Sequence, residues 1–187
     1  MIYFVRHGLD DESFIGGWSS LNLIKEGRSQ MKETAKFLFN LNIKPKYIYS
    51  SDVKRAIESA EIIKKRFNSK IIALSIFREL NKGKLNGMLK RNAVMKYPEF
   101  GEGFDDIHKR YPEGESLIDF YNRIKNELYP KLKDFDESII VAHRGVINML
   151  YFILNNKEPD YDKKQFGVTH GSVHELNLET KVIKKIK

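Results

Sequence analysis

The chain contains no cysteine. Disulfide staples, thiolate metal sites and cysteine nucleophiles are therefore excluded together. It also lacks any apolar run long enough to span a bilayer, and it opens on a strand-like stretch rather than a signal peptide. No membrane partner is expected, and a cytoplasmic location fits. Repeats, low-complexity tracts and linkers are missing too, so a single domain over residues 1–187 is expected. What remains is ordinary for a folded chain: 41% hydrophobic and 31% charged residues, enough for a sizeable core. The net charge of +8 raises the question of nucleic acid, but the basic residues are dispersed and mostly lysine. A solvated face that attracts small anions is the better reading, with no nucleic-acid partner.

The organising stretch is Ile2-Tyr3-Phe4-Val5-Arg6-His7-Gly8. An apolar run of β-formers ends abruptly in two polar side chains and a glycine, as a buried strand does where it delivers residues to its carboxyl end. The same design returns in Ile139-Ile140-Val141-Ala142-His143-Arg144-Gly145. In open α/β sheets, ligands bind at the carboxyl ends of the strands.

Between these two stretches, helical spacing runs from Lys25 to Asn40 through Met31, Ala35 and Leu38. Tyr47 to Tyr49 reads as a strand, and Ser50, Ser51 and Asp52 are N-cap candidates for a helix that buries Val53, Ile57, Ala60, Ile63 and Phe67. Ile71 to Ile76 is a third strand. Residues 81–115 lose periodicity and read as a lid-like excursion over the sheet, with one short helix around Leu89 to Tyr97. Ser116 to Asp119 forms a capping box opening a helix that buries Leu117, Phe120, Ile124, Leu128 and Leu132. A strand over 138–142, a buried helix over 146–154 and a last strand over 173–178 complete the chain. Strands alternating with helices predict an α/β fold with a mainly parallel sheet.

Four features come directly after predicted strands: Arg6-His7, Arg55, Glu79 and His143. Parallel connections bring them to one sheet edge. Two arginines, two histidines and a helix N-terminus suit a phosphoryl group, and Glu79 is placed to handle a leaving-group proton. Taken singly, Arg55 also reads as an exposed helix residue and Glu79 as a partner of Arg78. His170 and His174 stand four apart, a metal-ligand spacing on a helix, but their surroundings suggest a loop and strand, so they are read as surface histidines. His108 falls in a solvated charge cluster.

In these segments the sequence resembles the histidine phosphatase superfamily, also called the phosphoglycerate mutase-like family. The match is carried by Arg6-His7-Gly8, Ser50 to Ala56, Arg78-Glu79-Leu80 with Gly83 and Gly87, and Val141 to Val146; Gly114-Glu115-Ser116-Leu117 with Arg123 adds the form of the phosphatase branch. The resemblance implies a three-layer α/β/α sandwich and a phosphohistidine mechanism without metal or cofactor. His7 is then the nucleophile, Arg6, Arg55 and His143 hold the phosphoryl oxygens, and Glu79 is the acid and base. Ser13 stands where the family often has asparagine and is carried as a phosphate- or substrate-binding candidate. Arg144 replaces a common glycine; it either adds a phosphate contact or points away, and the second reading is favoured.

The resemblance implies a phosphatase of a small phosphorylated metabolite, monomeric or homodimeric. The alternatives are a cofactor-dependent phosphoglycerate mutase and a non-catalytic phosphate or phosphoprotein sensor.

Overall fold

The structure, a computed structural model, describes residues 1–101, 104–162 and 164–187. Six strands form one sheet: β1 (Ile2–Arg6), β2 (Tyr47–Ser50), β3 (Lys70–Ala73), β4 (Ser138–Ala142), β5 (Val173–Asn177) and β6 (Val182–Lys185). Their order is β3-β2-β4-β1-β5-β6. The first four are mutually parallel where they pair, while β5 runs antiparallel to β1 and β6 antiparallel to β5. β6 closes a hairpin that the sequence pattern did not announce. β3 is shorter than expected, because residues 75–77 turn into a 3-10 helix that leads to Glu79.

Helices α1 (Lys25–Asn40), α2 (Lys54–Lys64), α3 (Lys90–Lys96), α4 (Leu117–Arg123) and α5 (Arg144–Leu154) complete the fold. Side chains alternate across each strand, so each strand feeds two cores. Val5, Ile48, Ile139 and Val141 pack with Met31, Leu38, Ala56 and Ile63 of α1 and α2. Phe4, Ile140 and Ala142 face the other way, onto Phe120, Val146 and Leu150 of α4 and α5. The three-layer α/β/α sandwich results from that alternation.

The capping box forms as expected: Ser116 Oγ accepts the amide of Asp119, and Asp119 Oδ2 accepts the amide of Ser116. The helix it opens does not run straight to Leu132. It widens into a π-type turn over Ile124–Leu128 and tightens to 3-10 geometry over Tyr129–Phe135. Pro130 supplies the reason, since its ring has no N–H and clashes with the carbonyl one turn back. The five expected core positions are buried nonetheless. At α2 the cap differs from expectation. Val53 is the N-cap residue and no side chain caps the helix. Ser50 and Ser51 are buried at the strand end, and Asp52 takes both Nε and Nη2 of Arg78 at 2.6 Å. A charged fork is a stronger partner for Asp52 than one amide.

The excursion contains a 3-10 turn at Gly83–Leu85, then α3 and a second 3-10 turn at Pro98–Phe100. Among the described residues, no helix is long and apolar enough to cross a membrane.

Candidate active site

Register places the two histidines side by side. Arg6 pairs with Ala142, so His7 and His143 leave adjacent parallel strands together. The amide of His7 donates to Ala142 O at 3.1 Å, and the ring centroids lie 5.0 Å apart. α5 starts directly after His143, and α2 begins one residue before Arg55, so both helices aim their N-termini at the same edge.

The hydrogen bonds fix both imidazole tautomers. His7 Nδ1 lies 2.7 Å from the carbonyl oxygen of Gly8, which can only accept, so Nδ1 carries the proton. Its Nε2 is left with a lone pair and accepts from Arg55 Nε at 3.2 Å. His143 Nδ1 accepts from Arg55 Nη2 at 3.3 Å, so its proton sits on Nε2. Burial, reinforced by Arg55, holds both imidazoles well below the ordinary histidine range. Both are neutral at physiological pH, the state in which an imidazole can act as a nucleophile or as a neutral donor.

Arg55 is 2% exposed and lines the site. Besides the two histidines it reaches Gly17 O at 2.6 Å and Ser19 Oγ at 3.0 Å. Gly17 adopts φ +63°, and a Cβ there would lie 2.2 Å from Asn86 Oδ1, so a side chain would disrupt the loop that anchors Arg55. Arg6 donates to Val168 O at 2.9 Å and to His170 Nε2. Burial lowers the Arg6 pKa to about 10, with the charge of Arg144 adding to the effect, which leaves it cationic at neutral pH. Two N–H groups remain buried without a partner among the described residues: Arg6 Nε and His143 Nε2.

Glu79 reaches the site from the segment after β3. Its Oε1 accepts the amide of Leu80 and its Oε2 the amide of Gly145, each at 2.9 Å. Gly145 has to be glycine for this: an added Cβ would stand 2.0 Å from Glu79 Oε1. Arg78 is engaged with Asp52, not Glu79. The glutamate backbone is braced instead, its carbonyl accepting from Trp18 Nε1 at 2.7 Å and from Arg123 Nη2 at 3.1 Å. Arg123 is in turn forked onto Glu115 at 2.6 and 3.0 Å. The Gly-Glu-Ser-Leu segment and Arg123 thus act as the buttress of Glu79.

Other expectations meet the structure differently. Ser13 is exposed, its Oγ is bonded to Asp11 Oδ1 at 2.6 Å, and it does not line the cavity around His7. Arg144 lines that cavity rather than pointing away. His170 is not a surface histidine: its ring lies 5.6 Å from that of His7. Burial, then the charge of Arg6, lowers its pKa to about 3. His174 is fully buried, between Tyr151 Oη and Ser172 Oγ, both at 2.9 Å. His108 is exposed, as expected.

Sequence reasoning also missed Asp10, which is buried with Oδ2 3.4 Å from Arg55 Nε. His7, Asp10 and His170 present potential metal-ligating atoms within 4.8 Å of one another. Arg6, Arg55 and Arg144 line the same cavity, and their charge opposes a cation there. The donor set suits a tetrahedral oxyanion.

The chain matches the histidine phosphatase superfamily (branch 1) over residues 2–185. It is 29% identical over 159 residues to the 6-phosphofructo-2-kinase/fructose-2,6-bisphosphatase 4 of Rattus norvegicus, a match covering 81% of this chain and 32% of that protein. The chain therefore spans about a third of the length of the first curated relatives it matches. The 2,3-bisphosphoglycerate-dependent phosphoglycerate mutase of Wigglesworthia glossinidia brevipalpis is 28% identical over 193 residues, covering 83% of this chain and 82% of the mutase. A mycobacterial glucosyl-3-phosphoglycerate phosphatase superposes with a TM-score of 0.79 at 22% identity, covering 98% of this chain and 96% of that one. With the profile match running from β1 to β6, the chain belongs to the histidine phosphatase superfamily, branch 1.

Proposed function

We propose that the protein is a metal-independent phosphatase that hydrolyses a small phosphomonoester through a phosphohistidine on His7. One observation carries the reading. His7, which lines the cavity, is flanked by two buried N–H groups with no other partner among the described residues: Arg6 Nε on the preceding residue and His143 Nε2 on the neighbouring ring. Such donors stabilise the charge that spreads over the equatorial oxygens of a transferring phosphoryl group.

In the first step His7 Nε2 attacks phosphorus and the bond from phosphorus to the ester oxygen breaks. The departing oxygen takes its proton from Glu79. In the second, Glu79 takes a proton from water as that water attacks phosphorus, the P–N bond breaks, and phosphate and free His7 are restored. Arg55 changes role along the way, releasing the His7 lone pair to hold an oxygen of the incoming group. No step calls for a metal or an organic cofactor.

The match to a phosphoglycerate mutase keeps phosphoryl return to a second hydroxyl as the competing reading. Purified protein incubated with a panel of phosphomonoesters separates the two. Release of inorganic phosphate, undiminished by EDTA and independent of 2,3-bisphosphoglycerate, supports hydrolysis. Interconversion of 3- and 2-phosphoglycerate that outpaces phosphate release and depends on that cofactor assigns the mutase instead.

A further inference from the structure

The cavity at His7 is about 340 Å³, within the range of roughly 300–1,000 Å³ that encloses small molecules. The phosphoryl group accounts for its cationic end. The remaining wall combines charged side chains such as Lys82, Lys90 and Asp160 with aliphatic ones and a cluster of rings. Phe100 stacks on Tyr111 with centroids 4.6 Å apart, and Phe104 meets Phe100 at 5.0 Å and Tyr161 at 5.4 Å. All four line the cavity.

Phe120 lines it too, and lies on the leaving-group side. A Cβ built on Gly145, whose amide holds Glu79, would stand 2.8 Å from Phe120 Cε1. The carboxyl group proposed to protonate the leaving oxygen therefore shares its side of the cavity with an aromatic surface. Two residues of that lining each carry a polar atom that is buried and without a partner among the described residues: Asn148 Oδ1 and Tyr161 Oη. Asn148 sits one turn along α5 from Arg144 and is 6% exposed. A buried amide oxygen of this kind is costly until something supplies it an N–H or O–H.

We propose that the alcohol released by this enzyme carries a flat, mostly apolar ring with a hydrogen-bond donor that Asn148 Oδ1 accepts. The site then takes ring-bearing phosphomonoesters in preference to small glycerol- or glycerate-type phosphates. The proposal rests on the phosphatase reading and assigns the half of the cavity that reading leaves open. Aromatic surface buries the ring's faces, and the amide oxygen sets its orientation.

The test compares substrates whose leaving groups are matched, so that chemistry does not imitate binding. Ethyl phosphate and 2-phenylethyl phosphate both release primary alkoxides. The expected kcat/KM is about 10–100-fold higher for the phenylethyl ester, the gain that burying one aromatic group implies. An indolylethyl ester, with its N–H, should gain about a further 5–10-fold. Asn148→Leu should erase that second gain while keeping the first. Phe104→Ala should shrink the ratio of phenylethyl to ethyl ester. A rise in melting temperature with inorganic phosphate shows that each variant is folded.

Equal kcat/KM for ethyl and phenylethyl phosphate, or Phe104→Ala lowering both alike, would overturn the proposal. If no ester releases phosphate and no label reaches His7, the phosphatase reading fails instead. Calorimetric binding of the same two esters then still decides the inference: tighter binding of the phenylethyl ester supports it, and equal affinity overturns it.

Discussion

Arg55 Nε points at His7 Nε2 from 3.2 Å, a cation resting on the lone pair proposed to attack phosphorus. With burial, the contact keeps the imidazole neutral, and under the proposed mechanism it holds the place of a phosphoryl oxygen. His7 should therefore titrate far below the ordinary histidine range. In long-range ¹H–¹⁵N spectra its Nδ1-protonated tautomer should persist as pH falls from about 8 to about 5, through the ~6.5 at which an exposed imidazole titrates. A cationic His7 across the upper half of that range would overturn the assignment.

The proposed intermediate gives a direct check. Brief incubation with ³²P-labelled substrate, quenched in base, should leave a base-stable and acid-labile phosphohistidine. His7→Ala should abolish both the label and turnover. Near wild-type turnover by that variant would sink the mechanism, and activity lost to EDTA and restored by one divalent metal would count against a metal-free site.

Glu79 and Gly145 should behave as one device. General acid help is typically worth about 10²–10⁴-fold, and only a poor leaving group needs it. Glu79→Gln should slow hydrolysis of an alkyl phosphate far more than that of p-nitrophenyl phosphate. Gly145→Ala should reproduce the same leaving-group dependence, because its Cβ falls 2.0 Å from Glu79 Oε1. Equal slowing of both substrates in either variant would make Glu79 a positioning group.

Asp10 lies 3.4 Å from Arg55, and under the proposed mechanism it competes with the phosphoryl group for that arginine. Asp10→Asn removes that competing charge while keeping the shape. Inorganic phosphate should bind this variant about tenfold more tightly by calorimetry, the scale of one charge-assisted contact. Weaker binding would show that the carboxylate positions Arg55 rather than competing.

Buried His174 and half-buried His170 should make the fold acid-sensitive. His174 is held at about 4, by burial and then by the charge of Lys185, and His170 at about 3, both below the ~6.5 of an exposed imidazole. The unfolded chain therefore binds protons that the folded chain refuses. That stability is complete above about pH 6.5 and is lost as pH falls towards the folded values. For His174 alone the loss by pH 4 is on the order of 3 kcal/mol, from the gap between 6.5 and about 4. Urea unfolding at about pH 7.5 and about pH 4 measures it, and His174→Gln should flatten the dependence. A wild-type stability unchanged across that range would refute the burial of the His174 ring.

Apolar runs and periodicity were enough to place five of the six strands, the helices and four of the groups at the site. Arg6 ends a strand that the sequence shows, and His7, Arg55 and His143 follow one; parallel strands carry the residues at their carboxyl ends to one edge. Glu79 was legible for the same reason, although its brace of Trp18, Arg123 and Glu115 was not. Packing in three dimensions settled the rest. β5 runs antiparallel to β1, so the residues that precede it arrive where the residues after parallel strands leave; this brings His170 to His7. No local pattern states a strand's direction. Asp10 and Arg144 were out of reach for a related reason: a loop residue has no period, and the first residue of a helix faces wherever the packed helix turns it. Ser13 occupied the expected sequence position and still faced Asp11, because a neighbouring carboxylate captured its hydroxyl locally.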